Sequence, residues 1–202
     1  MLNLEDGKKA VQFARQVIQD YIQNREHSNP VLGLLFQEKQ GVFVTLHTYP
    51  DHELRGCIGI PLPVMSLQTA IIEAAQSVTQ DPRFPPLQEA ELDAILVEIT
   101  ILTKPQLIQV KQPKDYPANI DIGRDGLIVE HGFYKGLLLP QVPVEQVWDK
   151  EEYLSHTCMK AGLPPDAWFD KTTKISKFQG QIFTETTPHG PIKETHLDGA
   201  HN

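Results

Sequence analysis

The chain reads as an α+β protein with an antiparallel or mixed sheet packed by helices, organised as one domain or as one core with a small appended lobe. Three observations predict this. Two long segments carry apolar residues at helical spacing, short β-rich segments come in pairs joined by turn residues, and no 20- to 50-residue repeat is present. Paired strands joined by tight turns favour an antiparallel or mixed sheet over a doubly wound parallel one.

The first helix is expected from about Glu5 to Gln23. Ala10, Val11, Phe13, Ala14, Val17, Ile18, Tyr21 and Ile22 form one stripe, with Asp6 as its cap. Gly41 to His47 is rich in Val, Phe and Thr and predicts a strand. Tyr49-Pro50-Asp51-His52 predicts a turn, and Glu53 to Ile58 the returning partner. A second helix is expected from about Leu67 to Thr79, capped by Ser66 and stopped at Asp81-Pro82-Arg83-Phe84-Pro85-Pro86. A strand starting near Leu92 is apolar on both faces, which marks a central strand.

Lys104 to Asn119 holds three prolines and predicts an irregular excursion into the smaller lobe. Leu127–Glu130 and Tyr134–Leu139 flank Gly132 as a hairpin. A third helix is expected from about Val144 to Ala161, ended by Gly162 and Pro164-Pro165. A last strand is expected over Ser176–Thr184. One domain is expected over 1–187, and 188–202 lacks apolar periodicity and is expected as a mobile tail in which His189, His196 and His201 are solvated.

Composition narrows the function classes. The net charge of -8 disfavours a broad nucleic-acid surface, which needs a basic field. No stretch approaches the roughly 18 apolar residues of a membrane span. Met1 to Asp6 lacks a basic segment followed by an apolar run, so the expectation is no secretory signal and a cytoplasmic location. The two cysteines, Cys57 and Cys158, form no close pair, which argues against a disulfide framework and a zinc ribbon.

Chemistry, if present, centres on Leu54-Arg55-Gly56-Cys57-Ile58-Gly59. Gly56 and Gly59 permit a tight bend or a close approach. On a regular strand Arg55 shares the face of Cys57, where a guanidinium favours the thiolate and makes a nucleophile. The plain alternative is a small buried Cys57, with Arg55 anchoring a carboxylate. A base for the thiol has three internal candidates: His47 across the hairpin, His131 and His156. A metal set of Cys57, Cys158, His131 and His156 lacks the close-spaced ligand pair that zinc sites show, and no cofactor is predicted. Asp81 and Arg83 flank Pro82 and are expected to lock a loop by an ion pair. Glu98 lies on the central strand and needs a partner, expected to be Arg55 or Arg83. Arg55 and Cys57 are therefore the catalytic candidates, and Gly56, Gly59, Asp81, Arg83 and Glu98 the candidates for a ligand-binding cleft.

At these residues the chain resembles the AMMECR domain family. The resemblance rests on Gly41-Val-Phe-Val-Thr-Leu46, Leu54-Arg-Gly-Cys-Ile-Gly59, Asp81-Pro-Arg-Phe-Pro-Pro-Leu87, Gly136-Leu-Leu-Leu-Pro-Gln-Val142, and Cys158-Met-Lys-Ala-Gly-Leu163 followed by Trp168. It covers about residues 5 to 186. It implies a two-lobe fold, with a larger lobe built on a mainly antiparallel sheet packed by helices and a smaller α/β lobe beside it, and it implies a functional cleft at the cysteine motif. It also implies a pathway link with Memo-like and radical SAM proteins. Two departures stand out: Asp125 occupies a position where the family has a histidine, and Lys135-Gly136 replaces an Arg-Gly pair, losing the guanidinium fork. The function expected is a binding or adaptor module with its cleft centred on Cys57. The alternatives are a cysteine-dependent enzyme or accessory factor in that pathway, and a nucleic-acid-associated factor.

Overall fold

A computed structural model describes residues 2–26 and 30–195 of the chain. They divide into two compact units, one of residues 2–103 and 181–195 and one of residues 104–180. Among the described residues no helix is long and apolar enough to cross a membrane.

The larger unit begins with α1 (Leu4–Ile22), followed by β1 (Val42–Thr48), β2 (Leu54–Ile60), α2 (Leu67–Val78) and β3 (Ile95–Leu102). The smaller unit holds β4 (Gln106–Leu107), β5 (Gly126–His131), β6 (Tyr134–Leu138), α3 (Gln141–Glu145), α4 (Lys150–Lys160) and β7 (Lys174–Phe178). The chain then returns to the larger unit with β8 (Gly180–Glu185) and β9 (Ile192–Thr195).

The five-stranded sheet runs β2-β1-β3-β8-β9 and the four-stranded sheet β4-β7-β5-β6. β1 pairs antiparallel with both β2 and β3, as do β8 with β9 and β5 with β6 and β7. The central position expected for β3 is what the strand order shows.

Alternation along the strands gives the larger sheet two different faces. Val42, Val44 and Leu46 of β1 share a core with Val97, Ile99 and Ile101 of β3 and with the stripes of α1 and α2. The other face carries Phe43, Thr45 and His47 of β1, Cys57 and Gly59 of β2, and Glu98 and Thr100 of β3, matched in cross-strand register. A second core fills the smaller unit, where Tyr153, Leu154 and Cys158 of α4 meet Leu127, Val129, Trp168 and Ile175.

Four expectations are corrected. The cap of α1 is Asn3, not Asp6: its Oδ1 accepts from the Asp6 amide at 2.9 Å. The single third helix is two. Val147 turns left-handed at φ 56° and is exposed, and α4 starts afresh on Asp149, which accepts from the Glu151 and Glu152 amides while Glu152 accepts from its own. The single last strand is also two, parted at Gln179, with β7 in one sheet and β8 in the other.

The tail is the fourth correction, over its described part. Thr186 donates its amide to Pro191 across a turn, and β9 then pairs with β8 and buries Ile192. One apolar residue in four gives too little alternation to read as a strand. His189 lies 2.9 Å from Asp93 in place of free solvation. Residues 196–202, with His196 and His201, lie outside the described residues.

Candidate functional site

The Leu54–Gly59 segment forms most of β2, an edge strand paired on one side with β1. Its two glycines answer two crowding demands. A Cβ on Gly56 would sit 3.1 Å from the Val78 carbonyl oxygen at the end of α2, and one on Gly59 would sit 2.2 Å from the Phe43 ring. The bare backbone at 56 lets β2 close on the end of α2. The bare backbone at 59 leaves room for the Phe43 ring to lie across the strand.

That close approach brings Asp81 onto the strand. The buried Asp81 carboxylate accepts the Cys57 amide at 2.9 Å and the Arg83 amide at 3.1 Å, and takes Arg83 Nε at 3.0 Å and Nη2 at 2.7 Å. Arg83 Nη2 donates in turn to the Cys57 carbonyl at 3.0 Å. The Arg83 hydrogen bonds hold the Asp81 carboxyl well below its ordinary range, against the opposing effect of burial. The expected Asp81–Arg83 lock is therefore present, and it grips the backbone of Cys57 on both sides.

Arg55 follows the plainer of its two readings, by way of a bulge. Between Leu46 and His47 the register slips: Leu46 faces Gly56, whereas His47 faces Leu54. Arg55 is the extra residue of this bulge and has no partner across the strand. Its Nε and Nη2 donate to the Glu91 carboxylate at 2.8 and 3.1 Å, and Nη2 also donates to the Pro85 carbonyl at 2.9 Å. This pairing lowers the Glu91 carboxyl below its ordinary value. The guanidinium is thus bound to a loop carboxylate, which is the plain reading of Arg55, and its hydrogen bonds do not go to the thiol.

The same slip moves Cys57 by one residue from Val44, which the His47–Leu54 register continued would set opposite it. Thr45, not His47, stands opposite Cys57, and its hydroxyl donates to the Cys57 sulfur at 3.4 Å. Thr45 also stands opposite Glu98 on β3. Cys57, Thr45 and Glu98 therefore form one cross-strand row, which spans on the order of 10 Å at the usual spacing of neighbouring strands. Cys57 is half-buried and Thr45 buried.

Glu98 does not pair with Arg55 or Arg83. Its partner is His47, with Nε2 3.9 Å from Oε1, an ion-pair distance longer than a hydrogen bond. The Glu98 carboxylate raises the His47 imidazole above its ordinary value, with burial opposing and the His52 backbone helping. Beside this pair a cavity of about 340 Å³ opens, lined by His47, His52, Glu98, Thr184, Lys193 and Thr195 among others.

The remaining candidates belong to the smaller unit. His131 Nδ1 lies 3.0 Å from the Thr173 hydroxyl. His156 stacks on Trp148 with ring centroids 3.8 Å apart. Cys158 is fully buried, and burial pushes its thiol up to about 11. Asp125, the departure from the family pattern, is buried and accepts from Lys177 Nζ at 2.9 Å and Gln179 Nε2 at 2.8 Å. A buried carboxylate paired with a lysine has its own structural reason to stand there. Among the described residues no group of three or more His, Cys, Asp or Glu side chains is arranged to hold a metal ion.

The structure thus brings Cys57, Gly56, Asp81 and Arg83 together and sets Glu98 across Thr45 from the sulfur. Residue reasoning missed Thr45, Glu91 and Lys193. Thr45 was within reach, since the alternation of Phe43, Thr45 and His47 puts all three on one face.

Comparison with known proteins agrees with the motif reading. A family model described as AMMECR1 matches residues 11–183. Protein MJ0810 of Methanocaldococcus jannaschii is 56% identical over 198 residues, covering 98% of each chain. Protein MK0488 of Methanopyrus kandleri is 49% identical over 201 residues, covering 97% of this chain and 96% of that one. The crystal structure of protein PH0010 from Pyrococcus horikoshii superposes with a TM-score of 0.80 at 49% identity, covering 97% of this chain and 99% of that one.

Proposed function

The chain belongs to the AMMECR1 family, and we propose that its larger unit is a small-molecule binding module. Its recognition surface is the sheet face running from Cys57 through Thr45 to Glu98 and His47. The observation that carries this reading is the single cross-strand row of Cys57, Thr45 and Glu98, on the face turned away from the α1 and α2 core. Polar side chains in register on a sheet supply convergent hydrogen-bonding groups at fixed spacing. The nearby cations support the reading by what they do. Arg55 braces the Pro85–Glu91 loop and Arg83 braces the Cys57 backbone, so both act as a frame for the face.

The test is to purify the full chain, release bound small molecules by heat, and compare them by mass spectrometry with those from Glu98→Gln and Thr45→Val variants of equal stability. A compound carried by the wild type and depleted at least tenfold in both variants is expected. Equal loading of all three proteins would remove this face as the binding site.

A second reading, a cysteine-dependent reaction, draws on the Thr45 hydroxyl at the sulfur and the His47–Glu98 pair on the same face. Under it the chain is an accessory factor alongside Memo-like and radical SAM proteins. Alkylation rates of Cys57 against pH, in wild type and Thr45→Val, separate the two readings. Profiles that both follow an ordinary thiol, with a midpoint of roughly 8.5, speak against the reaction.

A further inference from the structure

The cavity at the Glu98 end of this face has a charge pattern that names a ligand class. We propose that it takes a free α-amino acid, with the ammonium group at Glu98 and the carboxylate at Lys193. This inference rests on the binding reading above at its Glu98–His47 end, and its ligand lies on the side of Glu98 away from Cys57.

Three observations carry it. First, Glu98 and Lys193 line one cavity and make no ion pair with each other, while Glu185 of the same lining is already held by Arg15. Glu98 has one long contact, to His47 at 3.9 Å, and a carboxylate has about four lone-pair directions to fill. Lys193 is exposed and, like Lys39 of the same unit, has no ion pair among the described residues, whereas Arg15, Arg25, Arg55, Arg83, Lys8 and Lys9 are each paired with a carboxylate.

Second, the spacing suits a small zwitterion. β8 lies between β3, which carries Glu98, and β9, which carries Lys193. Two strand spacings put their strands on the order of 10 Å apart across the sheet, and both side chains line the same cavity. An ammonium and a carboxylate on one carbon, each with a hydrogen bond of about 2.8 Å, bridge such a gap once the two side chains lean inward. A ligand with one charge leaves either Glu98 or Lys193 unanswered.

Third, hydroxyl groups stand where a carboxylate needs donors. Thr184 faces Lys193 across the β8–β9 pair, and Thr195 lines the same cavity. The Thr195 Oγ1 is buried with no hydrogen-bond partner among the described residues. The volume of about 340 Å³ sits at the small end of the roughly 300–1,000 Å³ range of ligand pockets, which favours a single amino acid over a peptide or nucleotide.

The test is calorimetric titration of the full chain with each of the twenty standard L-amino acids, and with acetate and methylammonium as the two halves. At least one amino acid is expected to bind tenfold or more tighter than either half. Lys193→Met is expected to weaken that binding at least tenfold and Lys193→Arg to restore most of it. Glu98→Gln is expected to erase the advantage over acetate. No binding by any of the twenty, binding no tighter than acetate, or binding unchanged in Lys193→Met would each overturn the proposal. A heat-released compound lacking either the amine or the carboxylate sinks this inference while leaving the binding face intact. The absence of any face-dependent compound, together with no titration signal, removes both.

Discussion

The two cysteines show how much surroundings decide. Cys158 lies inside α4, fully buried in the smaller unit's core, and burial raises its thiol to about 11. Cys57 lies half-buried on an edge strand, its sulfur accepting from Thr45 and its backbone gripped by Asp81 and Arg83. One is packing material. The other is a side chain on a polar face whose position is held by two charged partners. In the sequence both are lone cysteines, and the difference comes from strand register and burial.

The largest expected effect breaks or confirms this contrast directly. In the native protein an alkylating reagent is expected to modify Cys57 while Cys158 reacts at least about 100-fold more slowly than it does after unfolding, because a buried thiol reacts only through opening. Peptide mass mapping over time reads both sites. Comparable native rates at the two cysteines would erase the distinction.

Next comes the grip on Cys57. Asp81→Ala leaves the part-buried Cys57 and Arg83 amides without their acceptor, and the expected cost is about 1–3 kcal/mol for the two together. Urea unfolding of the variant measures the loss. The Asp81 carboxyl is depressed in the folded state, chiefly by Arg83. Its contribution is therefore fully present above the ordinary value of 3.8 and is lost as pH falls through the lower folded value. Wild type is expected to lose stability on acidification below about pH 4, and Asp81→Ala to lose less over the same interval.

Removing the sulfurs sharpens the comparison. Cys158→Ala opens a small void in a packed core and is expected to cost about 1–2 kcal/mol, against about 0.5 kcal/mol or less for Cys57→Ala. Equal costs would mean that both thiols are packing groups.

The smallest effect concerns His47. Glu98 raises its imidazole, so the pair contributes stability that is fully present below 6.5 and is lost as pH rises through the higher folded value. Both side chains are partly exposed, which limits the effect to about 1 kcal/mol or less. Unfolding midpoints between pH 5 and 9 are expected to fall in wild type and stay flatter in Glu98→Gln.

Much of the fold was legible. The stripes of α1 and α2, the Ser66 cap, the hairpin around Tyr49–His52 and the central place of β3 all follow from local periodicity and turn chemistry. The Asp81–Arg83 lock followed from charge at a helix end. What escaped was register. A one-residue bulge at Arg55 leaves no local mark, yet it sends the guanidinium to Glu91 and sets Thr45 opposite Cys57, where the His47–Leu54 register continued would set Val44. The restart of the helix at Asp149 had a readable signal in Asp149 and Glu152, outweighed by the apolar residues before it. β9 escaped because one buried isoleucine makes no pattern.

The most direct test of the central claim, that the Cys57–Thr45–Glu98 row is a ligand face, is protection of Cys57. Its alkylation rate is measured with and without the small-molecule fraction released from the wild-type protein, in wild type and in Glu98→Gln. A rate slowed at least fivefold in wild type and unchanged in Glu98→Gln is the predicted result. Equal rates with and without that fraction in the wild-type protein would contradict it.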